Sequence, residues 1–264
     1  MSKVKALLFA VSMLPFVMNG QNLVENGDAE SGYENWGAGQ VQVVTENPHS
    51  GNKCFKSVLN GGLSEEAIPV DASKTYEISA WCKSADDKTP NVLLGFQPLD
   101  TNKKPIEFHH VNVVPDTETE LTEACAGKDT AIKIKDGRKW KVFHLNRVGF
   151  DIDDTGELDD LPNRNISNAT PMKIEKKDAF WEVALSAPCG MDYPAGTKVR
   201  MHSQGDTYKY MVVMKRFNSP EWHELSAKVQ GNDFYKGTKF IKIVVLALGG
   251  GNIYFDDIQF GEVE

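Results

Sequence analysis

Apolar and polar positions alternate with period two along much of this chain. The clearest case runs from Thr75 to Lys83, where Tyr76, Ile78, Ala80 and Cys82 point one way and Glu77, Ser79, Trp81 and Lys83 the other. Such alternation predicts a strand with one buried and one open face. Val41 to Val44, Lys53 to Val58, Val92 to Gln97, Leu225 to Val229 and Ile253 to Phe260 are likewise short and rich in β-branched or aromatic residues, with Gly, Pro, Asn, Asp or Ser at their borders. Phe240 to Leu248 is apolar on both faces apart from Lys242, as a central strand would be. Thr130 to Lys135, Trp140 to Asn146, Met172 to Glu175, Phe180 to Leu185, Lys198 to His202 and Tyr208 to Met214 extend the same texture through the middle. No segment carries a sustained helical stripe. The pattern predicts an all-β chain, and two packed sheets are its natural solution.

The N-terminus breaks this texture. Lys3 and Lys5 precede an apolar run from Ala6 to Val17, and Asn19-Gly20 follow. This reads as a secretory signal peptide over residues 1–20. The run is too short for a comfortable permanent span, so no membrane span is expected after its removal. Export would be to a secreted, periplasmic or cell-surface location. The chain has 264 residues and a net charge of −8, which becomes about −10 once Lys3 and Lys5 are removed. So acidic a surface argues against nucleic-acid binding.

Four cysteines follow the signal: Cys54, Cys82, Cys125 and Cys189. An even count in an exported chain makes disulfides plausible, and no spacing suits a zinc site. Cys125 and Cys189 each sit between a small residue or Pro and a Gly-containing turn at the entry to a β segment. That parallel placement points to a Cys125–Cys189 disulfide, worth about 2–4 kcal/mol. Cys54–Cys82 is the weaker pairing, and free buried thiols are the alternative for either.

Five landmarks carry a resemblance. They are Asn22-Leu23-Val24-Glu25-Asn26-Gly27-Asp28-Ala29-Glu30 leading to Trp36, His49-Ser50-Gly51-Asn52-Lys53-Cys54-Phe55-Lys56, the strand Thr75 to Lys83, Pro220-Glu221-Trp222-His223-Glu224-Leu225, and Ile253 to Phe260. In this order they resemble the carbohydrate-binding modules of the family 4/9 type. The resemblance implies a galactose-binding-like jelly-roll β-sandwich built from residues 21–115 and 217–264. Residues 116–216 would then be an inserted, small β-rich subdomain of barrel-like form.

The resemblance also implies a structural calcium where the N-terminal turn meets the last strand. Asp28, Glu30 and Asp256 or Asp257 would supply carboxylates, and the turn from Ser50 to Lys53 would supply backbone carbonyls. Calcium takes six to eight oxygens, so mixed ligation suits it. Alternation puts Asp256 on the face of Tyr254, Ile258 and Phe260, which slightly favours it over Asp257. Solvated turn carboxylates, with Asp28 acting as a cap, are the alternative.

Sugars present apolar C–H faces to aromatic rings and hydroxyls to planar polar groups. Trp81 shares its strand face with Glu77 and Lys83 and is a candidate platform. Gln97, Glu107, His109 and the neighbouring His110 are the candidate polar partners. Trp81 packed under a loop is the opposite reading. Trp36 and Trp222 stand at family positions that are usually structural. Trp140, Trp181, Tyr208 and Tyr210 would line a cleft edge or fill the insertion.

No Gly-x-Ser-x-Gly elbow, His-Glu-x-x-His or phosphate loop occurs in the chain. The acidic runs Asp151 to Asp154 and Glu157 to Asp160 read as a solvated or cation-binding loop rather than a glycosidase pair, since the required carboxyl separation is not a sequence property. Asn165 and Asn168 head N-glycosylation patterns that read as chance loop composition. The expectation is a secreted, non-catalytic carbohydrate-binding protein recognising a poly- or oligosaccharide, with cell-surface or glycan-degrading proteins as further partners. Its alternatives are an adhesion or structural module that binds protein partners through the insertion, and a polysaccharide lyase or glycoside hydrolase.

Overall fold

The computed structural model describes residues 20–58 and 60–263, so the expected signal segment lies almost wholly outside the described residues. Along the chain the strands are β1 (Val41–Val44), β2 (Cys54–Ser57), β3 (Gly61–Leu63), β4 (Ile68–Pro69), β5 (Thr75–Ser84), β6 (Asn91–Leu99), β7 (Thr119–Glu120) and β8 (Ala131–Ile134). There follow β9 (Asn146–Phe150), β10 (Pro171–Lys176), β11 (Trp181–Leu185), β12 (Lys198–Ser203), β13 (Lys209–Met214), β14 (His223–Gln230), β15 (Phe240–Leu248) and β16 (Ile253–Glu262). A short helix, α1 (Phe108–Val111), and a 3₁₀ turn at Gly231–Asp233 interrupt them among the described residues. Among the described residues no helix is long and apolar enough to cross a membrane.

Two sheets form the sandwich. The first runs β1-β2-β16-β5-β14 and the second β13-β6-β15-β3, with β4 also on β15. Alternation decides what lies between them. Tyr76, Ile78, Ala80 and Cys82 from β5 face Val92, Leu94 and Phe96 from β6 and Ile241, Ile243, Val245 and Ala247 from β15. Trp36 is fully buried there, 5.3 Å from Phe55 and 6.3 Å from Phe255 between ring centroids. Burying such side chains contributes roughly 1.5–3 kcal/mol each.

The two ends of the sandwich meet. Leu23 N–H donates to the Phe260 carbonyl at 2.8 Å, Phe260 N–H to Asn22 Oδ1 at 3.1 Å and Ile258 N–H to the Gly27 carbonyl at 3.0 Å. A Cβ on Gly27 would stand 2.1 Å from the Ile258 carbonyl oxygen, so this crossing requires glycine.

β16 departs from strict alternation. Asp257 takes a left-handed φ of 46°, and the register with β5 shifts between Asp256 and Gln259. This bulge turns Ile258 and Phe260 into the core with Phe255, while Asp256 stays out of it. Asp256 therefore does not share a face with Ile258 and Phe260, contrary to the simple period-two reading.

The middle of the chain builds a second core from Leu121, Ile132, Ile134, Trp140, Val148, Phe150, Val183, Leu185, Tyr193, Val199 and Met201. Around it stand two three-stranded sheets, β10-β11-β8 and β7-β12-β9, bridged at Leu121 and Ile134. The insertion is thus β-rich but not a closed barrel. It also ends earlier than residue 216, because β13 pairs with β6 in the sandwich. Trp140 to Asn146 is not a strand; Trp140 plugs the insertion core from a loop, its Nε1 donating to the Thr117 carbonyl at 2.8 Å.

The acidic loop joins the two units rather than standing solvated. Asp160 pairs with the fully buried Arg200 at 2.6 Å, and Lys236 Nζ donates to the carbonyls of Glu157 and Leu158 at 2.8 Å each. Arg164 reaches back to Asp100 and the Pro105 carbonyl, both at 2.7 Å.

Cys125 and Cys189 lie together in the insertion core as free thiols rather than the expected disulfide, with Sγ atoms 2.7 Å apart. Cys54 and Cys82 do not pair. β16 runs between β2 and β5, so two inter-strand spacings, roughly 9–10 Å, separate their backbones. A disulfide spans at most about 7 Å between Cα atoms.

Candidate functional site

The outer faces of the two sheets differ in what covers them. On the first sheet, Trp81 and Asp256 stand opposite one another, with Glu224 beyond Trp81 on β14. The loop before β2 folds over this row. His49 stacks on Trp81 with centroids 4.0 Å apart and planes 15° apart, and Trp222 meets His49 edge-on at 5.5 Å. Trp81 is therefore roofed by an imidazole and offers no open platform. Trp222 is half-buried on this outer side and is not part of the sandwich core.

The same loop accounts for the carboxylates expected to bind calcium. Asp256, fully buried, accepts the N–H groups of His49 at 2.8 Å and Ser50 at 3.2 Å through Oδ2. Asp257 takes His49 Nδ1 at 2.6 Å and the Ser50 hydroxyl at 2.8 Å. Glu30 Oε1 accepts the N–H groups of Asn52 at 2.7 Å and Lys53 at 2.8 Å, which hold its carboxyl below the usual range. Lys53 Nζ donates to the Glu30 carbonyl at 2.7 Å, and Asp28 accepts only the Glu30 N–H of its own turn, at 3.3 Å.

The turn thus offers its N–H groups and an ammonium, where calcium would need its oxygens. Among the described residues no group of three or more His, Cys, Asp or Glu is arranged to hold a metal ion. Asp28, Glu30, Ser50, Lys53, Asp256 and Asp257 do not assemble the expected ligand shell among the described residues. Burial pushes the Asp256 carboxyl up to about 6, against the backbone hydrogen bonds that favour its ionised form.

The second sheet presents a different outer face. Its inward residues are Phe96 and Leu94, so Gln97, Gly95 and Leu93 face out, as do their ladder partners Lys242, Val244 and Leu246 on β15. Tyr210 on β13 stands opposite Gly95, and Leu63 on β3 opposite Val244. One row therefore reads Tyr210, Gly95, Val244, Leu63; the next pairs Gln97 with Lys242. A Cβ on Gly95 would stand 2.0 Å from the Lys209 carbonyl oxygen, so glycine lets β13 pack close beside β6 and sets Tyr210 in one row with the fully buried Val244. Tyr208 precedes the strand with its ring 6.2 Å from that of Tyr210. Burial and the Asp206 carboxylate beside it push the Tyr210 phenol well up, so it stays protonated.

At the end of this face lie Tyr235, Phe108 of α1 at 6.1 Å from it, and Lys209, whose Nζ sits 5.3 Å over the Tyr235 ring. Glu107 and His109 belong to this helical turn. His109 Nδ1 is 3.4 Å from Glu107 Oε2, and its carbonyl takes His202 Nδ1 at 2.7 Å. Burial holds His109 below its ordinary range, and burial with neighbouring positive charge holds His110 and His202 at about 4. The bond from His202 to the His109 carbonyl joins the helix to β12, while His110 Nδ1 accepts the Glu107 N–H at 3.0 Å within the helical turn.

The four candidate sugar-binding residues are thus not one site. Trp81 lies on the first sheet under His49, Gln97 on the second, and Glu107 and His109 at the junction with the insertion. The face that gathers rings around Gln97 takes Tyr208 and Tyr210 instead. Their Tyr-Lys-Tyr spacing was visible, but nothing local in it tells which sheet they join. Trp140 and Trp181 serve the insertion core.

Residues 21–124 match the family model described as a carbohydrate binding domain, CBM_4_9, so the resemblance read from the landmarks holds over that segment. No curated protein matches the chain significantly. Among solved structures it is similar to a family 16 carbohydrate-binding module, at 15% identity over 92% of this chain and 100% of that one, with a TM-score of 0.40. It is also similar to the CBM22-2 xylan-binding domain of Paenibacillus barcinonensis Xyn10C, at 12% identity over 89% and 97%, with a TM-score of 0.38. The TmCBM61 module in complex with β-1,4-galactotriose gives 12% identity over 92% and 99%, with a TM-score of 0.35.

Proposed function

We propose that this protein is an exported, non-catalytic glycan-binding protein that holds a poly- or oligosaccharide on the outer face of the β13-β6-β15-β3 sheet. The carbohydrate-binding match over residues 21–124 supports the class of ligand. The observation that carries the location is Gln97: it is only 9% exposed, it stands on the outer face, and its amide has no protein partner among the described residues. The amide is not among the fully buried groups left without a partner, so it keeps solvent contact and can exchange water for a sugar hydroxyl. Tyr208 and Tyr210 beside it supply rings on which a pyranose can stack.

The corner where the N-terminal turn meets β16 is proposed to be held by hydrogen bonds and Lys53 in place of a calcium ion. Chromatography of the full chain on immobilised polysaccharides tests the glycan reading. Retention on at least one glycan, lost on adding the same glycan in solution, supports it. Passage through the whole panel without delay counts against it.

A further inference from the structure

Lys242 is the one charged residue in the apolar run of β15, and it faces Gln97 across the ladder on the outer face, towards the Phe240 end of the strand. It is half-buried, and no carboxylate or carbonyl partners it among the described residues. The lysines at the rim differ. Lys209 rests over Tyr235 and Lys103 over Phe240, at 5.3 and 5.2 Å from the ring centroids. Asp206 is hydrogen-bonded to Tyr210, and Asp100 pairs with Arg164.

The covered stem of Lys242 holds its ammonium beside the Gln97 amide without a counter-charge, so its charge is open to a ligand. Solubility does not explain it, since the chain has a net charge of −8 and no need of a cation in the middle of an apolar sheet face. An ammonium offers only donors, and the amide beside it adds two more with a single acceptor oxygen. The complement of that pair is a group with two acceptor oxygens and a negative charge.

We infer that the glycan is acidic: a uronate-bearing polysaccharide whose sugar ring stacks on the half-buried Tyr210 and whose carboxylate is received by Lys242 and Gln97. Charge-assisted bonds of this kind are roughly twice as strong as neutral ones. The inference rests on the reading of this face as the glycan site. Because the whole molecule is acidic, the preference arises locally and acts at short range.

The test uses pairs of glycans that share a backbone and differ in charge. These are polygalacturonate against its fully methyl-esterified form, glucuronoxylan against unsubstituted xylan, and a sulfated galactan against its desulfated form. Binding of the full chain and of Lys242→Gln is measured by titration calorimetry, with thermal melts to show that the variant is folded. In at least one uronate pair the acidic member should bind about tenfold more tightly. That advantage should shrink as NaCl rises from about 0.05 to about 0.5 M, and Lys242→Gln should reduce it to within roughly twofold.

Equal affinity for both members of every pair, or a preference that survives Lys242→Gln, overturns the inference and leaves the glycan face standing. A preference confined to the sulfated galactan overturns the assignment to a carboxylate. Failure of every glycan to bind overturns the reading of the face itself.

Discussion

His49 lies flat on Trp81, centroids 4.0 Å apart, and Asp257 holds the same imidazole through Nδ1 at 2.6 Å. The contact ties the loop before β2 to β5 and to the bulge of β16, and it makes Trp81 part of the scaffold. Trp81→Ala should therefore cost about 2–4 kcal/mol of stability, somewhat less than for a fully buried Trp. Glycan affinity should be unchanged at a temperature where the variant is folded. Denaturant melts and a binding titration on the same sample check both halves.

The corner beside it should not need a metal. Excess EDTA should leave the melting temperature unchanged, whereas Glu30→Ala should lower it by a few degrees because two backbone N–H groups lose their acceptor. A chelator-induced drop of several degrees, reversed by added calcium, would restore the ion to this site.

Asp256 should give the corner a pH dependence. Its folded pKa of about 6 lies above the ordinary value of 3.8. The folded state thus binds more protons than the unfolded state between those values, and unfolding free energy falls as pH rises. The contribution is fully present below about pH 4 and is lost as pH passes through about 6, with a ceiling near 3 kcal/mol. Chemical denaturation from pH 4 to pH 7 should show this slope, and Asp256→Asn should flatten it.

The cysteines give a counting experiment. Oxidation should join the adjacent Cys125 and Cys189 thiols, so protein produced under oxidising conditions and unfolded without reductant should react with a thiol reagent at two positions, Cys54 and Cys82. Reduction should raise the count to four and cost about 2–4 kcal/mol through loss of the Cys125–Cys189 link. Four reactive thiols before reduction would contradict that link.

Much of this was legible along the chain, for identifiable reasons. Phe240 to Leu248 announced a central strand because both its faces are apolar; its inner face is buried throughout and its outer face is partly covered, fully only at Val244. The meeting of Asn22 and Gly27 with Phe260 and Ile258 followed from landmarks at the two ends. What period-two reasoning missed was non-local or locally irregular. The left-handed Asp257 reverses the faces of β16, and no residue pattern marks it. β9 hides behind Arg147 and Gly149, which dilute its alternation. β13 looks like its neighbours in the insertion until its pairing with β6 is known. That pairing brings Tyr210 to Gly95, so the candidate face was assembled by topology rather than written in one segment.

The most direct measurement is a calorimetric titration of one bound glycan into the wild-type chain and into Gln97→Ala, Tyr210→Ala and Trp81→Ala, all shown to be folded. The account predicts that Gln97→Ala and Tyr210→Ala each weaken binding by roughly tenfold or more, and that Trp81→Ala leaves it unchanged. Loss of binding in Trp81→Ala, with Gln97→Ala and Tyr210→Ala at wild-type affinity, would place the glycan on the opposite sheet and contradict it.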